Sequence, residues 1–279
     1  THLEKDVIFM KETKNPILEP NKTVAVVAYF LLTLLGGSIL ITILAFFYNK
    51  VHNMGLNPNQ LLEVVSTTKF SDLEEAHKKL YVFCNSLANL FMYILLFIIV
   101  VFFMRNYMKE DAKGLVKGYK KLAWLIPVCA IAGYGISYGV EAIIASLIHK
   151  TSVNQSSIEI LIHDGGAVSM FFAVVICAPI VEQLIYRKAI FEYLKKYHIA
   201  ISYIVSILVF TLPHVVTTFI EAEYSFLDNV LICIPYALSG FLLCLTYHLC
   251  NKNVYASWFF HLANNLISFI TIMVQRGAV

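Results

Sequence analysis

Charge is scarce in this sequence. Only 14% of its 279 residues are Asp, Glu, Lys or Arg, against about 25% in an average soluble domain. With 59% hydrophobic side chains, such a chain cannot hide its apolar surface in one soluble core, so its solvent is lipid. The net charge is only +3 and no long basic run occurs, which speaks against a nucleic-acid partner. The six cysteines form no CxxC pair and most lie inside apolar runs. They read as small core residues rather than as disulfides or a zinc cluster. There is no HExxH pair, no internal repeat and no low-complexity tract. No cleavable leader is expected, because the first apolar run, from near Val24, is too long for a leader's hydrophobic segment and follows about 20 polar residues.

Long apolar runs are what the sequence does have. A spanning helix takes about 20 such residues, and seven stretches qualify: 24–47, 82–104, 122–148, 168–184, 201–220, 228–249 and 255–274. The expected fold is all-α, a polytopic membrane helix bundle of seven transmembrane helices in a single membrane domain over 1–279. The fourth run is short and is expected to continue as a polar helix through Lys196. In the long connection 48–81, the stretch NPNQLLEVV reads as the start of an interfacial helix. Ser71 followed by Glu74 reads as a capping box that would begin the second span's helix below the membrane. The alternate connections 1–23, 105–121, 185–200 and 250–254 carry 15 Lys and Arg, and the others, 48–81, 149–167, 221–227 and 275–279, carry 6. By the positive-inside rule the N-terminus is expected in the cytoplasm and the C-terminus outside a plasma membrane.

Polar residues interrupt three of these runs. VICAPIVEQLIYR carries Glu182, Gln183 and Arg187 on an otherwise oily helix, with Pro179 just before and Tyr186 one turn beyond Glu182. FTLPH places Phe210 and His214 four residues apart, with Pro213 beside the histidine. HLANN places His261 and Asn265 on one helix face. Taken singly, each has a plain explanation. A membrane histidine or asparagine often only joins helices, Glu182 could snorkel toward headgroups, and Arg187 could anchor the cytoplasmic end. Yet an ionisable group in hydrocarbon costs about 2.5–3.5 kcal/mol on insertion scales. One Glu, two His and one Asn in three spans, two of them beside a proline, point to a shared polar cavity. There a carboxylate can take a proton from water. Imidazoles can position that water, and they or an amide can stabilise the oxyanion formed when it attacks a peptide carbonyl.

At these residues the sequence resembles the CAAX protease and bacteriocin-processing (CPBP, or Abi) intramembrane proteases. That family carries EExxxR, FxxxH and HxxxN or HxxxD on successive membrane helices. Here the matches are Glu182 to Arg187, Phe210 to His214 and His261 to Asn265, in order, and the likeness covers about 168–270. The resemblance implies an all-α membrane fold whose cavity opens toward the cytoplasm. It implies peptide or membrane-protein substrates in the lipid bilayer, including leader or lipidated peptides. It makes Glu182 the water activator, with His214 and His261 positioning water or stabilising the oxyanion, and Asn265 a further oxyanion donor. Gln183, Arg187, Phe210 and Tyr186 would support them, Arg187 as a structural or electrostatic partner. No cofactor is required on this reading, although zinc on Glu182, His214 and His261 is the alternative.

Gln183 departs from the family pattern, which has a second Glu there. Glutamine keeps the shape and can still bond Arg187, but cannot neutralise it. If the missing carboxylate mainly pairs with the arginine, a weakened protease results. If it shares proton traffic, the chain is a non-catalytic scaffold or regulatory partner of the same fold. A proton-coupled transporter is a third class, disfavoured by the lack of an inverted repeat. Depth poses one further question. At about 1.5 Å per residue, Glu182 and His214 come out roughly 10 Å apart across a core of about 30 Å.

Overall fold

The computed structural model describes residues 19–67 and 69–277. Helices α1 (Pro20–Val51), α3 (Glu75–Lys117), α4 (Tyr119–Ile148), α5 (Val153–Leu194), α6 (Ile199–Ile220), α7 (Phe226–Leu249) and α8 (Val254–Gly277) are joined by short connections. A short helix, α2 (Pro58–Ser66), fills the longest one. The seven long helices are long and apolar enough to cross a membrane, and no strand occurs among the described residues. The protein is therefore an all-α, multi-pass membrane protein.

The bundle is built around α5. Its most apolar stretch is 67% buried, against 11% for that of α1 and 39% for that of α7. A helix that is apolar on every side belongs in the interior, and Cys177 to Arg187 are buried without a gap. The same helix is irregular. It turns sharply at Asp164 and Gly165, where Gly165 has φ of 115°, a backbone conformation that favours glycine. At Gly166 a Cβ would meet the Leu161 carbonyl oxygen and the Ser86 Cβ at 2.7 Å, so only glycine lets α5 lie this close to α3. Wide, π-type turns follow at Phe171–Cys177 and Leu184–Phe191. The first precedes Pro179, which has no N–H to continue the ladder.

Several boundaries differ from the sequence-based expectation. Helix α5 begins at Val153 rather than 168, held by the Ser152 hydroxyl, which accepts from the Gln155 N–H at 3.1 Å. It does continue as a polar helix, ending at Leu194. Helix α3 is about 65 Å long, so both ends protrude from a core of about 30 Å. The capping box expected at Ser71 is not formed. Phe70–Asp72 make a 3₁₀ turn, Leu73 is extended, and α3 starts at Glu75 with Glu74 as its cap residue. Capping boxes form instead at Asn57 with Gln60, where an interfacial helix was expected, and at Ser225 with Asp228. Of the six cysteines, all free, Cys84, Cys177, Cys244 and Cys250 are buried, while Cys129 and Cys233 are partly exposed.

The two ends of the bundle differ. One, the basic end, holds the turns at 195–198 and 250–253. There Asp111 of α3 accepts from Lys188 Nζ of α5 at 2.5 Å and from the Val254 backbone N–H of α8 at 2.9 Å. Asn253 Nδ2 donates to the Asp111 carbonyl at 2.6 Å. Above this knot lie buried Tyr186, Phe191, Tyr247 and Val254. The other end holds 149–152 and 221–225, tied together by Lys150 Nζ, which donates to Asp228 Oδ2 at 2.8 Å and to the Glu223 carbonyl at 2.7 Å.

Candidate active site

A cavity of about 470 Å³ runs from the middle of the bundle toward this second end. Its floor carries Glu182 of α5, Phe210 and His214 of α6, and His261 and Asn265 of α8. The three motifs thus meet in one space. The depth problem disappears because α5 runs on to Leu194. Measured from the basic end, Glu182 and His214 lie about 18 and 22 Å along their helices, nearly level.

Glu182 is 4% exposed and does not reach for headgroups. Its Oε1 accepts from the Tyr93 hydroxyl of α3 at 3.3 Å, and its Oε2 lies 3.9 Å from His261 Nε2. Oε2 itself has no hydrogen-bond partner, leaving a carboxylate oxygen ready for a donor. His214 Nδ1 is 2.7 Å from the Phe210 carbonyl oxygen. A carbonyl only accepts, so Nδ1 carries the proton and the neutral ring presents the Nε2 lone pair. Phe210 and Tyr236 flank that ring at centroid distances of 4.9 and 5.1 Å, and the Tyr236 hydroxyl is fixed by Ser152 at 2.6 Å. Asn265 Nδ2 donates to the Val174 carbonyl at 2.8 Å. Val174 lies in the wide turn before Pro179, where the regular ladder is disturbed and a carbonyl is left for a side chain. The second Nδ2 hydrogen of Asn265 remains for another acceptor.

The supporting residues fall elsewhere than their spacing suggests. Gln183 does not bond Arg187. Its Nε2 lies 2.9 Å from His261 Nδ1, because α8 packs against α5 between the two motif positions. With the amide donating, His261 Nδ1 is the acceptor and its proton sits on Nε2, facing Glu182. Arg187 is fully buried, though it was a candidate anchor in a cytoplasmic loop. It donates through Nη1 to the Ser206 hydroxyl at 2.7 Å and through Nη2 to the Gly240 carbonyl at 3.1 Å. It also lies 5.4 Å from the Phe210 ring centroid. No carboxylate pairs with it among the described residues. Buried Tyr186 shares a 2.6 Å hydrogen bond with Tyr29 of α1, which ties the N-terminal helix to the site helix.

Tyr93, Asn264, Tyr236, Ser206 and Gly240 were not found from sequence. Tyr93 is one tyrosine in an aromatic-rich apolar run, and nothing in its spacing marks it. Asn264, whose buried Oδ1 lacks a partner, adjoins a motif and was legible as a polar residue only. Among the described residues no three His, Cys, Asp or Glu side chains gather closely enough to hold a metal ion. That includes Glu182, His214 and His261.

Fold and cavity together define a membrane-embedded helical protein with an acid, two imidazoles and an amide around an internal polar space, the equipment of an intramembrane hydrolase. Residues 164–267 match the family described as Rce1-like, type II CAAX prenyl endopeptidase. The match covers well under half of the chain, includes all three motifs, and is consistent with the CPBP resemblance. It supports an intramembrane endopeptidase of the CAAX type in general. No curated protein and no solved structure matches the chain.

Proposed function

We propose that this protein is an intramembrane endopeptidase that cuts membrane-associated peptides with a water activated by Glu182. The observation that carries the reading is that Glu182, His214, His261 and Asn265, from three helices far apart in sequence, line one cavity. A water held between the Glu182 carboxylate and the His214 Nε2 lone pair loses a proton to Glu182 and attacks the peptide carbonyl carbon. The oxyanion accepts from His261 Nε2–H and from the free amide hydrogen of Asn265. Collapse breaks the C–N bond, and Glu182 returns its proton to the leaving amine, giving a carboxylic acid and an amine.

This route needs no metal ion; zinc on Glu182, His214 and His261 is the alternative that chelation separates from it. One observation keeps a second reading in view. Gln183 supplies an amide where the family motif has a carboxylate, and it sets the His261 tautomer. A scaffold of the same fold that binds peptides without cutting them would share this cavity.

Purified protein in proteoliposomes, incubated with a panel of membrane-anchored peptides, tests the proposal. Cleavage that persists in chelator and is lost in His261→Ala is the expected result. Binding without cleavage across the panel would favour the scaffold, and chelator-sensitive cleavage with stoichiometric zinc would overturn the metal-free route.

A further inference from the structure

Two expectations drawn from the sequence conflict once the cavity is located. Lysine and arginine concentrate at the basic end, with Arg105, Lys109, Lys113, Lys117, Lys120 and Lys121 around the α3–α4 turn alone. Among the described residues, and without buried Arg187, this end carries 11 Lys and Arg against 6 at the other, an asymmetry that places the basic end in the cytoplasm. The cavity extends the other way. Its upper lining comes from Glu141 near the end of α4, Asn154, Gln155 and Glu159 at the start of α5, and Gln275 near the end of α8. At the basic end the Asp111 knot and the layer of Tyr186, Phe191 and Tyr247 stand between cavity and solvent. A cavity open toward the cytoplasm and a cytoplasmic N-terminus therefore cannot both hold for this chain.

The charge of the lining adds a second constraint. Glu141, Glu159 and Glu182 line the cavity, and no lysine or arginine does. Lys150, the nearest loop cation in sequence, is engaged by Asp228 and the Glu223 carbonyl. Glu159 is held by Gln155 Nε2 at 2.8 Å, and Glu141 is exposed on the α4 face. A peptide passing these carboxylates gains from a positive charge beside its apolar segment.

We propose that the cavity is loaded from the extracytoplasmic face, with peptide segments whose basic residues are received by Glu141 and Glu159. This deepens the protease reading and rests on it for the cutting step. The substrate class becomes exported peptides, or the outer halves of membrane-spanning segments. A lipidated tail lying in the cytoplasmic leaflet would meet the closed end.

The test has two arms. In a chain whose six cysteines are replaced, Glu223→Cys and Lys196→Cys are exposed to a membrane-impermeant maleimide on intact cells. Labelling at 223 and protection of 196 until permeabilisation is expected, and the reverse pattern overturns the proposal. Should the cysteine-free chain fail to fold, epitopes inserted at the same two positions of the native chain give the same reading by antibody access. This arm needs no catalysis, so it stands or falls apart from the protease assignment. In the second arm, the preference in kcat/KM for a lysine-bearing peptide over its alanine counterpart falls about tenfold in Glu141→Gln/Glu159→Gln. An unchanged preference would refute the role of the two carboxylates.

Discussion

The two ends of the bundle use charge in opposite ways. At the basic end Asp111 is satisfied on both carboxylate oxygens and joins α3, α5 and α8 through Lys188 and the first N–H of α8. Toward the other end, Glu182 has one oxygen bonded only at 3.3 Å and the other unbonded, and Asn264 Oδ1 is buried without a partner. Satisfied buried charges lock helices together, and unsatisfied ones in a cavity are available to a substrate. The difference separates the part of the molecule that holds the helices from the part proposed to do chemistry.

That division can be broken experimentally. The largest effect is expected for His214→Ala, which removes the lone pair that positions water: cleavage falls about 10²–10⁴-fold while the thermal midpoint hardly moves. A His214→Ala variant that cleaves normally would remove His214 from the mechanism. Asp111→Ala should show the opposite pattern. It leaves Lys188 and the Val254 N–H buried without their acceptor, costing about 3 kcal/mol of stability, measured by thermal or denaturant unfolding in detergent. An unchanged midpoint would show that the knot does not hold this end.

Gly166→Ala sharpens the comparison within α5. Its Cβ would press on the Leu161 carbonyl and on Ser86, so a loss of about 2 kcal/mol is expected. Gly139→Ala, with nothing within 4 Å of its Cβ, should be neutral or slightly stabilising. Equal midpoints for the two variants would contradict the close approach of α5 to α3.

Gln183→Glu carries the smallest of these effects. A carboxylate there can only accept, so the His261 proton should move to Nδ1, visible in ¹⁵N chemical shifts. It would also place a carboxylate one helical turn from Arg187, with which no carboxylate pairs among the described residues. With the Nε2–H oxyanion donor lost, cleavage should fall about tenfold, about 1.4 kcal/mol of barrier. If neither tautomer nor rate changes, Gln183 does not govern His261.

The same comparison shows what could be read in advance. The seven spans were legible because lipid demands about 20 apolar residues per crossing, a signal that local detail does not erase. The meeting of Glu182, His214 and His261 was legible because each is an expensive residue in an oily run. Partnership was not. The i, i+4 spacing of Gln183 and Arg187 fixes a shared helix face, but it does not say that α8 will bring His261 to the glutamine and α6 and α7 will bring Ser206 and Gly240 to the arginine. Nor was the start of α5 legible, since the fourth apolar run begins only at 168, while the structure bends at Asp164 and Gly165 and the helix reaches back to Val153. The side on which the cavity opens depends on how all the helices tilt, which no single segment encodes.

The account rests most heavily on Glu182 as the base, and its direct test is the kinetics of Glu182→Gln, which keeps shape and hydrogen bonding but cannot take a proton. With peptide binding retained, kcat should drop about a thousandfold. Cleavage at the normal rate by this variant would contradict the mechanism.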